Sequence, residues 1–267
     1  MTNRARVLRR LVAKNLALTL AYRGAFFILM LSTVISPLVS LLIWRTVIDH
    51  GVRLPLDRSQ FVTYYVLLGL VSMLTGVWQA PYTAETIRLG RLSPELLRPA
   101  PVILQPIANN LGEKIVKLPL LLPIVVGVAL LFDDDFRPPT DPLAWLLFVL
   151  SLPAAAAINF LLDYLVGLLA FWLDDVGGLI RVLGLVRGFL AGRLVPLALF
   201  PPSFGPLLEA QPFRYTLSFP LEVVTGALDA AALLRGFGWQ VVWLIILIGA
   251  YRAVWRRGLR LYSSVGG

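Results

Sequence analysis

Six apolar stretches, each long enough to cross a bilayer, limit what this chain can fold into. They run from Gly24 to Trp44, Phe61 to Trp78, Ile115 to Phe132, Leu143 to Trp172, Leu179 to Phe200 and Trp239 to Trp255. A spanning helix needs about 20 mostly apolar residues. The first stretch is too long for a signal-peptide core and lacks a small-residue cleavage site, so it is read as structure. Composition agrees: 58% of the 267 residues are apolar and 15% are charged, and the mean hydropathy is +0.80. A soluble domain of this size could not bury so much apolar surface and still coat itself with polar groups. The expected fold is an all-α polytopic membrane protein with six transmembrane helices, forming a single domain over residues 1–267.

Six spans put both termini on one side, and the basic residues choose the side. The net charge is +9, from 24 Lys and Arg against 15 Asp and Glu. With the N-terminus inside, most of the positive charge lies on cytoplasmic segments. These carry Arg4 to Arg23, then Arg88, Arg91, Arg98, Lys114 and Lys117, then Arg181 and Arg187, and finally Arg252 to Arg260. The excess therefore reads as orientation, with both termini cytoplasmic, and not as a nucleic-acid surface. Trp44, Trp78, Trp145, Trp172, Trp239, Trp243 and Trp255 all fall near proposed span ends, where indole rings favour the headgroup level. Ahead of the first span, Leu8, Leu11, Val12 and Leu16 share one helical face among basic residues. Residues 1–23 then read as an interfacial elbow helix on the cytoplasmic leaflet, against the simpler reading of a basic tail. Residues 24–257 form the six-span core, and 258–267 a cytoplasmic tail.

Several chemistries have no residues to support them. There is no cysteine and a single histidine, His50, so thiolate and multi-histidine metal sites are excluded. No Gly-Lys dipeptide occurs, so the chain has no Walker A loop. Asp133–Asp135 read as a solvated outer turn, and no catalytic or metal-binding residue is assigned. Asp174 and Asp175 keep open a membrane-embedded enzyme acting on lipids. A non-transporting scaffold subunit is the third class.

Three features carry more information. In the cytoplasmic segment 86–99, Ser93 is a candidate N-cap with Pro94 at the first helical position. Leu92, Leu96 and Leu97 would lie exposed on this short helix, either docking a soluble partner or packing on the chain's own spans. In the fifth span Gly184, Gly188 and Gly192 repeat every four residues and form a small-residue ridge. The ridge serves either a subunit interface or gate, or ordinary packing, and Pro196 weakens the helix beyond it. Finally, Asp163 lies deep in the fourth span with Asn159 one turn away. An antiparallel turn near Val176 brings Asp163 and Arg187 to one depth, roughly 16–20 Å along each helix. An intramembrane charge is expected to be paired, with Arg187 the expected partner and Arg181 or a wet cavity the alternatives.

The order of these elements resembles the permeases of type-2 ATP-binding-cassette (ABC) exporters. The likeness rests on Ile87-Arg88-Leu89-Gly90-Arg91-Leu92 with Leu96-Leu97-Arg98-Pro99, and on Phe171-Trp172 before Gly177-Gly178-Leu179. It continues through Gly192 with Leu194-Val195-Pro196, Phe200-Pro201, Pro212-Phe213-Arg214-Tyr215, Phe219-Pro220 and Gly226, and the ending Trp255 to Gly267. It spans nearly the whole chain and is nearest a subgroup of short permeases that includes viologen and drug exporters. It implies that Arg88, Leu89, Gly90, Arg91, Leu92, Leu96, Leu97 and Arg98 form a coupling helix for two separate ATPase subunits. Those subunits would bind ATP and Mg, and this chain would bind no cofactor. It further implies short re-entrant external helices between spans five and six, carrying Pro212, Phe213, Tyr215, Phe219 and Pro220, that cap the pathway. A second permease, identical or related, and membrane lipids are the other expected partners. The expected location is a bacterial cytoplasmic membrane, and the expected cargo an amphiphilic or drug-like molecule moved outward.

Overall fold

The computed structural model describes residues 10, 12–13, 23–51 and 55–262, and among these it is all helix and loop, without a strand. The expected elbow helix lies outside the described residues apart from 10, 12, 13 and 23. Helix α1 spans Arg23–Asp49, α2 Arg58–Thr75, α3 Gln79–Arg88 and α4 Leu92–Leu96. Then come α5 at Leu104–Leu131, α6 at Pro142–Leu168 and α7 at Gly177–Leu190. The short α8 (Gly205–Ala210) and α9 (Ser218–Val224) precede α10 (Ala230–Leu261).

The long helices start where local chemistry allows. Asp57 accepts from Gln60 N at 2.7 Å while Asp57 N donates to the Gln60 side chain at 3.1 Å, a capping box that opens α2. Asp141 accepts from Leu143 N at 2.9 Å with Pro142 as the first residue of α6. Asp229 accepts from Ala232 N at 2.6 Å and opens α10.

Helix α6 is the hub, with α10, α3, α9 and α2 packed on it, while α1 and α5 lie on α2. Helix α2 is enclosed: Phe61, Val62, Tyr64, Tyr65, Leu68 and Val71 are all buried. Helices α5 and α10 instead turn Val126, Leu130, Leu131, Val241 and Ile245 outward. Apolar faces on that scale are stable against lipid, not water. Four helical runs among the described residues are long and apolar enough to cross a membrane: Arg58–Arg88, Leu104–Leu131, Pro142–Phe171 and Ala230–Leu261.

The bundle has a basic end, carrying Arg88, Arg91 and Arg98, and an opposite end where Asp135 meets Arg58 at 2.9 Å and Arg45 at 3.4 Å. Asp135 is therefore part of an ion-pair cluster tying α1 and α2 to the α5–α6 turn, and not simply a solvated residue.

Several boundaries differ from the sequence expectation: α10 begins at Ala230, nine residues before Trp239, α1 runs on from Trp44 to Asp49, and three more spans differ in kind. The second span does not end at Trp78; it is interrupted there and continues as α3. The third does not begin near Ile115, because α5 starts a full three turns earlier, at Leu104. The fifth does not reach Phe200: α7 stops at Leu190. At about 21 Å it is too short for a core of about 30 Å.

Candidate intramembrane polar site

Between α2 and α3 the chain leaves the helix for Gly76, Val77 and Trp78. Gly76 is extended (φ −61°, ψ 148°), and a Cβ there would lie 2.6 Å from the Ser72 carbonyl oxygen, so glycine alone fits. Pro81 occupies the first turn of α3, where a missing N–H costs nothing. A helix broken among apolar spans exposes backbone groups that the membrane interior cannot satisfy. Neighbouring helices do so instead. Asn159 Nδ2 of α6 donates to Thr75 O at 2.8 Å, and Asn110 Nδ2 of α5 donates to Gly76 O at 3.0 Å. On the other side of the break, Gln79 N and Ala80 N both donate to Asp163 Oδ2 at 2.7 Å. Asp163 thus places its negative charge at the positive end of α3. Its other oxygen accepts from Arg187 Nη1 of α7 at 3.0 Å. Asp163 and Arg187 are therefore brought together, and Asp163 has a second task, holding the start of α3, that its spacing did not reveal.

Beside the break lies an open cavity of about 400 Å³. Asn110, Glu113, Lys114 and Lys117 of α5 line one wall, and Asp163, Arg187 and Arg193 another. Met73, Val77, Trp78 and Leu217 add apolar surface. Glu113 pairs with Lys117. Asn159 Oδ1, Arg187 Nε and Arg187 Nη2 are buried without a hydrogen-bond partner, in surroundings where unpartnered polar atoms are costly.

This corrects one expectation. Lys114 and Lys117 do not belong to a cytoplasmic loop; they lie about 15–20 Å into α5. With Glu113, Asp163 and Arg187 they make a charged cluster among the spans. Both signals were present in the sequence. Asn110, Glu113, Lys114 and Lys117 have the spacing of one helical face, and Gly76 and Pro81 interrupt an apolar segment. The polar residues lower the local hydropathy, so a window scan starts the span too late.

The segment after α3 is compact. Arg88 ends α3, and exposed Leu89 and half-buried Gly90 turn the chain into α4. Helix α4 starts at Leu92, one residue ahead of Ser93, so Ser93 is not its N-cap and Pro94 is its third residue. The Ser93 hydroxyl instead meets the Tyr262 hydroxyl at 3.1 Å, linking α4 to the end of α10. Leu92 is buried, contrary to expectation, whereas Leu96 and Leu97 face outward, Leu97 at 88% exposure. Arg91 and Arg98 form surface pairs with Glu85 and Glu95.

Gly184 and Gly188 lie on α7, but Gly192 does not. The helix has ended, and Gly192 takes φ +78°, a left-handed value that favours glycine. Pro196 likewise lies beyond the helix, before a short 3-10 turn at Leu197–Leu199. Tyr64 O–H donates to Gly192 O at 2.7 Å, Tyr65 O–H to Leu194 O at 3.3 Å, and Gln211 Nε2 to Leu190 O at 2.9 Å. These contacts fix the stop. Among the residues expected to cap the pathway, Tyr215, Phe219 and Pro220 are buried in the protein itself, and Pro212 and Phe213 are half-buried. Phe204 and Leu207 carry the outward apolar surface instead.

Asp175 Oδ1 accepts from Gly177 N at 2.8 Å, which occupies it at the start of α7. A family model described as ABC-2 family transporter protein matches residues 34–266. No curated protein matches the chain.

Proposed function

The chain belongs to the ABC-2 family of transporter proteins, and from that premise we propose that it is the permease of an ATP-driven exporter. Family membership makes it a multi-pass membrane transport component, not itself catalytic, of a kind that works with ABC ATPase subunits. The proposal adds the assembly: two permeases, this chain and an identical or related partner, with two ATPase subunits holding ATP and Mg. It adds six spans, with α1 joining the four long apolar runs and the fifth crossing made by α7 together with the non-helical chain and 3-10 turn that follow it to residue 200, an elbow helix before α1, both termini cytoplasmic, and a bacterial inner membrane. The cargo is amphiphilic or drug-like and leaves outward.

One observation carries the mechanism. Helix α3 is a rod of about 15 Å with one end held in the polar cavity by Asp163 and the other ending at Arg88. Arg88 opens directly into the turn at exposed Leu89 and half-buried Gly90 and the helix α4. A push on residues 88–98 is delivered along α3 to the break, where the hydrogen bonds to Asp163 and the Asp163–Arg187 pair can reorganise. This is how closure of the ATPases would reach the spans. Helix α7 supports the pairing of permeases. It has no buried residue, and a Cβ at Gly184 would meet nothing within 4 Å. An apolar helix left so open suits a partner helix.

The test uses the permease co-purified with its ATPase and placed in lipid nanodiscs. The wild-type chain is expected to stimulate ATP hydrolysis. Arg88→Asp and Leu97→Asp, both at exposed positions, should abolish the stimulation without lowering the permease's melting temperature. Leu92 is unsuited to this test because it is buried. Undiminished stimulation in both variants, or failure of any ATPase to co-purify, overturns the proposal.

A further inference from the structure

We infer that the cavity beside the α2–α3 break binds an oxyanion, the phosphate or carboxylate headgroup of an amphiphile. The inference rests on the permease reading, whose cargo class it narrows. Four cationic side chains line the cavity (Lys114, Lys117, Arg187 and Arg193) against two carboxylates, Glu113 and Asp163. Both carboxylates are already engaged. Glu113 faces Lys117, and Asp163 accepts from Arg187 and two backbone N–H groups. A cationic headgroup would therefore meet no free acid, whereas an anion would meet free donors.

The sharpest of these is on Arg187. Its Nη1 serves Asp163, leaving Nε and Nη2 buried and without a partner. These two N–H groups share one edge of the guanidinium, the fork that matches two oxygens of a phosphate or carboxylate. The same edge of Arg214 is engaged by a carboxylate, with Nε at 3.2 Å and Nη2 at 2.7 Å from one oxygen of Glu222. Lys114 adds a second, point-like charge across the cavity. Met73, Val77 and Leu217 on the walls suit an alkyl chain, and Trp78, 71% exposed, adds an indole to the lining.

The experiment uses the full chain in phosphatidylcholine nanodiscs, without the ATPase, titrated calorimetrically with dodecyl phosphate, dodecyltrimethylammonium and inorganic phosphate. Dodecyl phosphate is expected to bind at least tenfold more tightly than dodecyltrimethylammonium. Lys114→Gln should weaken dodecyl phosphate at least fivefold. Arg187→Lys keeps a charge facing Asp163 but removes the fork, and should do the same. Neither should alter the ammonium probe. Displacement of dodecyl phosphate by inorganic phosphate would mean that the anion alone suffices, and absence of displacement that the chain is also read. Either supports an oxyanion site. Equal affinity of the wild type for the two dodecyl probes overturns it, as do folded variants that bind dodecyl phosphate as tightly as the wild type. Because no ATPase is present, loss of this selectivity is distinguishable from loss of ATPase coupling.

Discussion

Two helices are interrupted within this bundle, and they are finished in opposite ways. Where α7 stops, the exposed carbonyls are met by neutral donors, Tyr64, Tyr65 and Gln211. The nearby ion pair is complete: Arg214 presents Nε and Nη2 to Glu222, and Ser218 donates to the other oxygen at 3.0 Å. Burial alone would lower the Arg214 pKa, but the Glu222 charge and hydrogen bonds outweigh it and leave it above the ordinary value. At the α2–α3 break, charged and amide groups do the work and leave donors and an acceptor unused beside an open cavity. A finished junction resists change. An unfinished one, in a low-dielectric setting, has a stake in what enters it.

The largest expected effect comes from removing the centre of the inner junction. Asp163→Asn leaves an acceptor for the Gln79 and Ala80 N–H groups but strands the Arg187 charge. Removing one partner of a buried pair costs about 3–5 kcal/mol, so the melting temperature in detergent should fall sharply. Arg187→Gln should cost less, because Asp163 keeps its two backbone donors. The double variant Asp163→Asn with Arg187→Gln should recover part of the loss. Simple additivity of the two single effects would mean that the pair does not organise the junction.

How much of this was legible in the sequence differs between the two regions. The apolar stretches specified an all-helical membrane chain because hydropathy is a sum over many residues and tolerates local error. The Asp163–Arg187 proximity followed from the chain distances on either side of the Val176 turn. The break did not, because it depends on Asn110, Asn159 and Asp163 arriving from two other helices, and no local pattern in 76–78 states that. Lys114 and Lys117 were placed in a loop because hydropathy averages a polar face into its flanks. Gly192 looked like the third member of a helical ridge, since spacing cannot show where a helix ends when the donors that end it, Tyr64 and Gln211, are distant in sequence. Leu92 was expected on an exposed face, but it is buried, and the spacing of a five-residue helix does not state which of its leucines turns inward.

A middle-sized effect tests the outer junction. Gly192→Ala would have to hold φ +78°, and its Cβ would fall 2.6 Å from the Tyr64 hydroxyl and 2.8 Å from the Ser218 hydroxyl. Backbone strain of this kind costs about 1–3 kcal/mol, and Tyr64 must also give up its hydrogen bond. The melting temperature should fall by less than in Asp163→Asn. Wild-type stability in Gly192→Ala would show that α7 can continue past Leu190, and the contrast between a closed and an open junction would be lost.

The smallest effect separates the two regions most cleanly. Tyr64→Phe removes one hydroxyl and leaves Gly192 O without its donor, while the ring still fills its buried site. A lost hydrogen bond of this type costs about 1 kcal/mol, a small but measurable drop in melting temperature. The more informative reading is taken at the other junction. Tyr64 lies on α2, the helix that runs into the break at Gly76, so a strain passed along α2 would alter dodecyl phosphate binding near Arg187. If the outer junction is a static clamp, Tyr64→Phe lowers stability and leaves that affinity and its Lys114 dependence as in the wild type. If binding changes along with stability, the two interruptions belong to one mechanical unit, with α2 as the connection between them.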